Sequence, residues 1–222
     1  MEYVINKAAQ RPSLKGLWDE APWRSANVLS IANFMPQSKS RHPRVEAKAV
    51  YQDDGLFVFF RVFDKYVRCV QTEYQASVCG DSCVEFFVAP KPDRGYLNFE
   101  INCGGTMLLY HCQAKRVPGE KLIHDPVPWE LGRQVAIYHS LPKVVDPEIE
   151  ADTEWRIEYF IPFKIFDKYF GPLGPIAGQV WRANFYKCAD RTSHPHWITW
   201  APLAAVLDFH LPQYFAPIRF SA

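Results

Sequence analysis

The chain has 222 residues, 48% apolar and 22% charged, the balance of a soluble globular protein large enough to bury a core without disulfide or metal staples. Its formal charge is +1, from 25 basic and 24 acidic residues, which supplies neither the concentrated positive field of a nucleic-acid binder nor a basic membrane-surface face. The opening Met1-Glu2-Tyr3-Val4-Ile5-Asn6-Lys7 lacks the apolar run of a signal peptide. No stretch approaches a membrane span, so the expected location is cytoplasmic by default unless a leader has been removed.

In chain order, strand signals dominate. Val45 to Tyr51 alternates, Asp53-Asp54-Gly55 makes a turn, and Leu56 to Phe63 reads as a largely buried partner strand. The Asp-Gly dipeptide between the two runs is a hairpin signal because glycine tolerates positive φ. Further strands are predicted at Ser82 to Ala89, Tyr96 to Asn102, Met107 to Cys112, Val135 to His139, Glu154 to Ile161, Val180 to Lys187 and Pro217 to Phe220. Pro162 to Phe170, stopped by Gly171-Pro172, reads as one short helix with proline in its first turn. Eighteen scattered prolines exclude long helices. The expected fold is all-β: an antiparallel two-sheet β-sandwich of immunoglobulin-like or jelly-roll type, with long loops and at most one or two short helices, in a single domain over residues 1–222.

Six cysteines, at 69, 79, 83, 103, 112 and 188, match no zinc or redox spacing. Cys79 and Cys83 form the one close pair, a weak metal signal without histidines at ligand spacing. All six are expected to be free thiols, mostly buried, in a reducing compartment.

Residues two apart on a strand share a face, so polar residues can be sorted by side. Asn98, Glu100 and Asn102 fall on one face of their strand, opposite Leu97, Phe99 and Ile101. Arg182, Asn184 and Tyr186 face away from Trp181, Ala183 and Phe185. Glu85 shares a face with Cys83 and Phe87, while Val84, Phe86 and Val88 point the other way. Two readings follow: a polar face turned to water, or Glu, Asn and Arg side chains converging in a groove that grips vicinal sugar hydroxyls. The 15% aromatic content serves either a sheet core or stacking on pyranose rings.

Several segments resemble the family 9 carbohydrate-binding modules in their free-standing form. Leu17-Trp18-Asp19-Glu20-Ala21-Pro22-Trp23 is similar to the family's opening element, and Val50 to Val58 (VYQDDGLFV) resembles its first hairpin. Gly80-Asp81-Ser82-Cys83-Val84-Glu85-Phe86-Phe87-Val88 resembles its Asp-Ser-Val-Glu-aromatic strand. Tyr96 to Asn102 and Trp181 to Phe185 are similar to later strands, and Trp197 to Pro202 with Phe209 to Phe215 to the closing element. The segments keep the family's order from roughly residue 11 to 220.

The resemblance implies a two-sheet sandwich that binds saccharides, commonly at chain ends, between aromatic side chains. Glu85 and Asn102 fall where the family has sugar-contacting polar residues, and Glu100 where members can carry arginine. The family clamps the sugar between two tryptophans; here the first position falls near Val78 or Cys79 and the second at Phe209. Tyr74, Trp197 or Trp200 are the candidate substitutes for the missing wall. The expected ligand-binding set is therefore Glu85, Glu100, Asn102, Arg182, Asn184, Tyr186, Trp197, Trp200 and Phe209.

No cofactor is expected. Some relatives bind structural calcium, for which Asp53, Asp54 and Asp81 have suitable oxygens. Met107 and His111, four apart on one strand, are a formal haem-ligand pair but an improbable one. Two other functions stay open. Glu85 and Glu100 are a possible glycoside hydrolase pair, to be judged by their separation, and the departures from the clamp leave a protein-interaction domain that has lost its sugar site. His194-Pro195-His196, the one histidine cluster, reads as a loop rather than a ligand pair.

Overall fold

The computed structural model describes residues 1–222. Its strands in chain order are β1 (Tyr3–Lys7), β2 (Leu29–Ile31), β3 (Asn33–Phe34), β4 (Arg44–Gln52), β5 (Gly55–Asp64), β6 (Val67–Cys69), β7 (Cys83–Ala89) and β8 (Tyr96–Asn102). They continue with β9 (Met107–Cys112), β10 (His124–Pro126), β11 (Ala136–His139), β12 (Val145–Ile149), β13 (Thr153–Pro162), β14 (Val180–Cys188), β15 (Trp197–Thr199) and β16 (Ala216–Phe220). Every strand expected from alternation is present.

The all-β expectation holds, but the arrangement is not simply an antiparallel two-sheet sandwich. Fourteen strands form one continuous sheet: eleven follow the order β10-β9-β8-β7-β14-β16-β1-β4-β5-β13-β11, while β2 pairs with β4, and β15 with β14 and β3, off this path. Its two halves are antiparallel, and β1 splices them through parallel pairings on both sides. Tyr3, Val4 and Ile5 pair with Ile218, Arg219 and Phe220; Asn6 and Lys7 then pair with Val50 and Tyr51. Five residues with weak alternation gave no strand signal here, although Ile5 is fully buried at the seam. β6 and β12 make a separate two-stranded ribbon.

The halves pack face to face. Phe60 on β5 lies 5.9 Å from Phe185 on β14, and Phe99 on β8 lies 6.5 Å from Tyr159 on β13, ring centre to ring centre. Helix α3 (Phe163–Phe170) adds Ile165, Phe166 and Phe170 to this core. Single-turn helices α1 (Ala21–Arg24) and α2 (Trp129–Gly132) bring the helices to three rather than one or two, since one turn carries no periodic signal. No helix is long and apolar enough to cross a membrane.

Two local readings acquire different causes. The β4–β5 hairpin forms, but Gly55 has no positive φ: a Cβ there would meet the Ile161 carbonyl oxygen and the Phe160 ring, each at 2.4 Å. Close approach of β13, not turn geometry, demands the glycine. His194 and His196 do not converge. His194 stacks on Tyr66 at 3.5 Å, whereas His196 is buried and accepts from the Lys187 ammonium at 2.7 Å through Nε2 while Nδ1 donates to the His194 carbonyl.

Lys187 itself points between the halves and faces Asp64 of β5 at 3.2 Å, both side chains wholly buried. Burial and the Lys187 charge hold His196 down to about 3. Burial alone would raise Asp64, but Lys187 and His196 outweigh it and lower it below the usual carboxylate range. Both depressions act in one direction. The His196 contribution to stability is complete above about pH 6.5 and is lost as the unfolded chain takes up protons below it; Asp64 adds a second loss under its ordinary value. Two buried carboxyls, Glu85 and Glu100, are raised and gain stability as pH falls. The His196 loss is therefore read as a difference: from pH 6.5 to 4 the urea midpoint of wild type should fall relative to that of a His196→Gln variant. At the splice, Ile5→Ala should cost about 2–5 kcal/mol in the same experiment.

Candidate functional site

The polar faces of β7, β8 and β14 do not look at water. Glu85, Asn98, Glu100, Asn102, Asn184 and Tyr186 are each no more than 5% exposed. The face is roofed by residues 203–215, where Phe209 and Phe215 pack with Met35, Phe87, Tyr96 and Tyr186 in a second apolar cluster. Phe209 stacks on the Tyr186 ring at 4.2 Å, and the Tyr186 hydroxyl donates to the Phe209 carbonyl at 3.1 Å. The pairing of Arg116 with Asp208 fastens the segment at its side.

Beside Phe209 the roof leaves a cleft of about 290 Å³ lined by Cys79, Glu85, Glu100, Cys188, Asp190, Trp197, Leu207, Asp208, Phe209 and His210. Glu85 and Glu100 are direct cross-strand partners and form its floor side by side. Glu85 Oε1 accepts from the Cys188 thiol at 3.0 Å, and Glu100 Oε1 accepts from Asn98 Nδ2 at 2.7 Å. His210 closes one side. The Tyr96 hydroxyl lies 2.8 Å from its Nδ1, which leaves Nε2 turned towards Glu100 at 3.9 Å. Trp197 stands at the rim, its indole N–H donating to Asp190 at 2.7 Å.

Burial, and then the neighbouring Glu100 charge, pushes the Glu85 carboxyl well above its ordinary value. Glu100 is pushed up to about 7, again by burial. Burial also lowers His210 to about 4, so the ring is neutral. A floor carboxyl that keeps its proton donates as well as accepts, so the cleft offers both senses of hydrogen bond to a ligand. Its lining contains four carboxyl groups and no lysine or arginine.

Of the expected ligand residues, Glu85, Glu100, Trp197 and Phe209 meet in this cleft. Cys79, one of the two residues near the first clamp position, lies in the same lining as Phe209, near the second. Tyr186 lies under Phe209 as its support. Asn102 turns to the neighbouring loops: Nδ2 donates to the Gln71 carbonyl and to Asp81, and Oδ1 accepts from the Thr106 N–H. Asn184 holds the strand exit by donating to the Ala201 carbonyl and accepting from its N–H, 3.0 and 2.9 Å. Arg182 sits at the far end of β14, its guanidinium on the Phe215 carbonyl, among Lys115, Arg116 and Gln213. Trp200 is on the other side of the sheet, edge-on to Tyr3 and Phe185 in the main core. Tyr74 packs against Trp129 beside a separate hollow. Asp190, Asp208 and His210 escaped sequence reasoning because they sit in loops; only the adjacency of Asp208 and His210 to Phe209 marked two of them.

The acidic residues considered for calcium do not come together. Asp53 pairs with Lys7 and Asp54 with Arg11 at the hairpin tip, while Asp81 accepts from the Val70 and Gln71 N–H groups. Their donors are already engaged, and they do not fit one ion. Met107 packs in the main core, whereas the His111 ring stacks on Tyr169 with Nε2 on the Arg94 carbonyl, so the two side chains do not face one iron. All six cysteines are free; five are buried and Cys79 is half-buried.

Comparison with known structures finds the same fold in other solved chains. It superposes on a candidate carbohydrate-binding protein from Bacteroides uniformis with a TM-score of 0.85, at 24% identity over 99% of both chains. A family 9 carbohydrate-binding module from Caldicellulosiruptor kristjanssonii in complex with cellotriose gives 0.65, at 15% identity over 100% of this chain and 94% of that one. A module of the same family and organism in complex with glucose gives 0.61, at 14% identity over 98% and 95%. No curated protein matches the chain. Residues 22–220 match the carbohydrate-binding family 9 pattern, and on that span the chain belongs to carbohydrate-binding family 9.

Proposed function

We propose that residues 1–222 act as one non-catalytic saccharide-binding unit whose cleft takes the end of a neutral sugar chain. The observation that carries this reading is the convergence of Glu85 and Glu100 on the floor with Trp197 and Phe209 at the edges of one small concave site. Sugars need closely spaced acceptors and donors for their hydroxyls and an apolar surface for their C–H faces, and this lining has both. The complexes of family 9 modules with cellotriose and glucose support a glucose-containing ligand. With Asp208 already paired to Arg116, three carboxyl groups without a cation, Glu85, Glu100 and Asp190, disfavour uronic acids. At about 290 Å³ the cleft lies at the small end of the range for ligand pockets, which suits a terminal ring better than an internal stretch.

Within this reading Glu85, Glu100, Asp190, Asp208 and His210 contact hydroxyls, and Trp197 and Phe209 contact ring faces. Asn102, Asn184, Tyr186 and Trp200 position the elements that carry them. Arg182 is outside the cleft. The two glutamates stand side by side on adjacent strands rather than on opposing walls, where they would flank a glycosidic bond; the arrangement favours binding over hydrolysis. A concave polar cleft likewise fits a small polar ligand better than a flat protein surface.

Calorimetry with cellotriose, glucose and glucuronate tests the reading. Binding of the neutral sugars without glucuronate is expected, and Glu85→Gln and Glu100→Gln should each weaken it roughly ten- to a hundredfold. Asn102→Ala should lower the unfolding midpoint while leaving the affinity of the folded protein close to wild type. A folded protein that binds none of a broad glycan panel, or binds equally well without either glutamate, would overturn the assignment.

A further inference from the structure

Nothing in saccharide recognition calls for the thiols beneath the cleft. Cys83 on β7 and Cys188 on β14 are direct cross-strand partners, and Glu85 follows Cys83 by two residues on the same face. The register therefore brings two sulfurs and a carboxylate oxygen within 4.8 Å of one another, all three side chains buried. Filling space accounts for a lone buried thiol; it does not account for a carboxylate buried against two of them. The Cys188 thiol already donates to Glu85 Oε1, a proton that a cation would replace.

We propose that Cys83, Glu85 and Cys188 form a metal site for a borderline-soft divalent cation of the zinc type. Two thiolates and one carboxylate are the donor set that selects zinc over calcium or magnesium, whose sites are built from oxygen alone. Zn–S bonds of about 2.3 Å and Zn–O bonds of about 2.0–2.2 Å place tetrahedral donors roughly 3.5–4 Å apart, within reach of the observed spacing by small side-chain rotations. Cys188 and Glu85 line the cleft, so the fourth position opens towards it, where water completes the shell. The site goes beyond the saccharide reading but shares Glu85 with it. Metal loading and sugar contact through that carboxylate therefore compete.

Titration of the reduced full chain with Co2+, a spectroscopic substitute for zinc, tests the proposal. The expected result is one ion per chain, with a thiolate-to-cobalt charge-transfer band in the near ultraviolet that Zn2+ abolishes by displacement. Cys83→Ala and Cys188→Ala should each remove the band, Glu85→Gln should weaken Co2+ binding at least tenfold, and Cys103→Ala, a buried thiol outside the cluster, should leave it unchanged. Thermal unfolding of each variant confirms that the chain is folded, and Zn2+ should raise the midpoint of wild type and of Cys103→Ala but not of Cys83→Ala or Cys188→Ala. Absence of the band in wild type, or its persistence in both Cys83→Ala and Cys188→Ala, overturns the site. Cellotriose titration in EDTA separates the two assignments, since sugar binding that persists without any cobalt band defeats the metal site alone.

Discussion

The central strands β7 and β8, and β14 from Ala183 onward, are buried on both faces, and most of the molecule follows from that constraint. One face, carrying Val84, Phe86, Phe99, Ala183 and Phe185, packs against the opposite half of the sheet. The other carries Glu85, Asn98, Glu100, Asn102 and Asn184, groups that cannot be taken from water without partners. Neighbouring loops supply them. Asn102 ties down the segments around Gln71 and Thr106, and Asn184 grips the backbone at Ala201. The polar residues thus fix the course of the loops, and the loops make the polar face dry.

Where that mutual satisfaction is incomplete, a cleft remains. Glu100 has one partner in Asn98 and a neutral imidazole at longer range, and Glu85 has only a thiol. These acceptors are underused in a setting of low polarity, which makes them more responsive to an incoming hydroxyl or cation than they would be in water. The aromatic edges come from two unrelated segments, β15 and the roof. Their separation is set by the Tyr186–Phe209 stack on one side and the Trp197–Asp190 hydrogen bond on the other.

Much of the sheet was legible in the sequence because strand periodicity is a property of the backbone: the assignment of Leu97, Phe99 and Ile101 to one side and Asn98, Glu100 and Asn102 to the other needs no knowledge of the rest. What covered the polar side was not legible, because residues 203–215 form no periodic element. The same limit separated Trp197 from Trp200. Three residues apart, with the strand ending at Thr199, they finish on opposite sides of the sheet, one at the cleft and one in the core. The splice by β1 was invisible for a different reason: parallel partners distant in sequence leave no local turn signal, and Tyr3 to Lys7 is too short for alternation to identify.

That splice has a consequence for how the chain is made. Tyr3 to Ile5 find their partners only at Ile218 to Phe220, so during synthesis the first strand emerges long before the strand it must lie beside. Until β16 emerges, the borders that it will cover, on β1 and on β14, stay open. The nascent protein therefore passes through a long interval with two adhesive borders exposed, and its yield in a cell depends on what shields them until the seam closes.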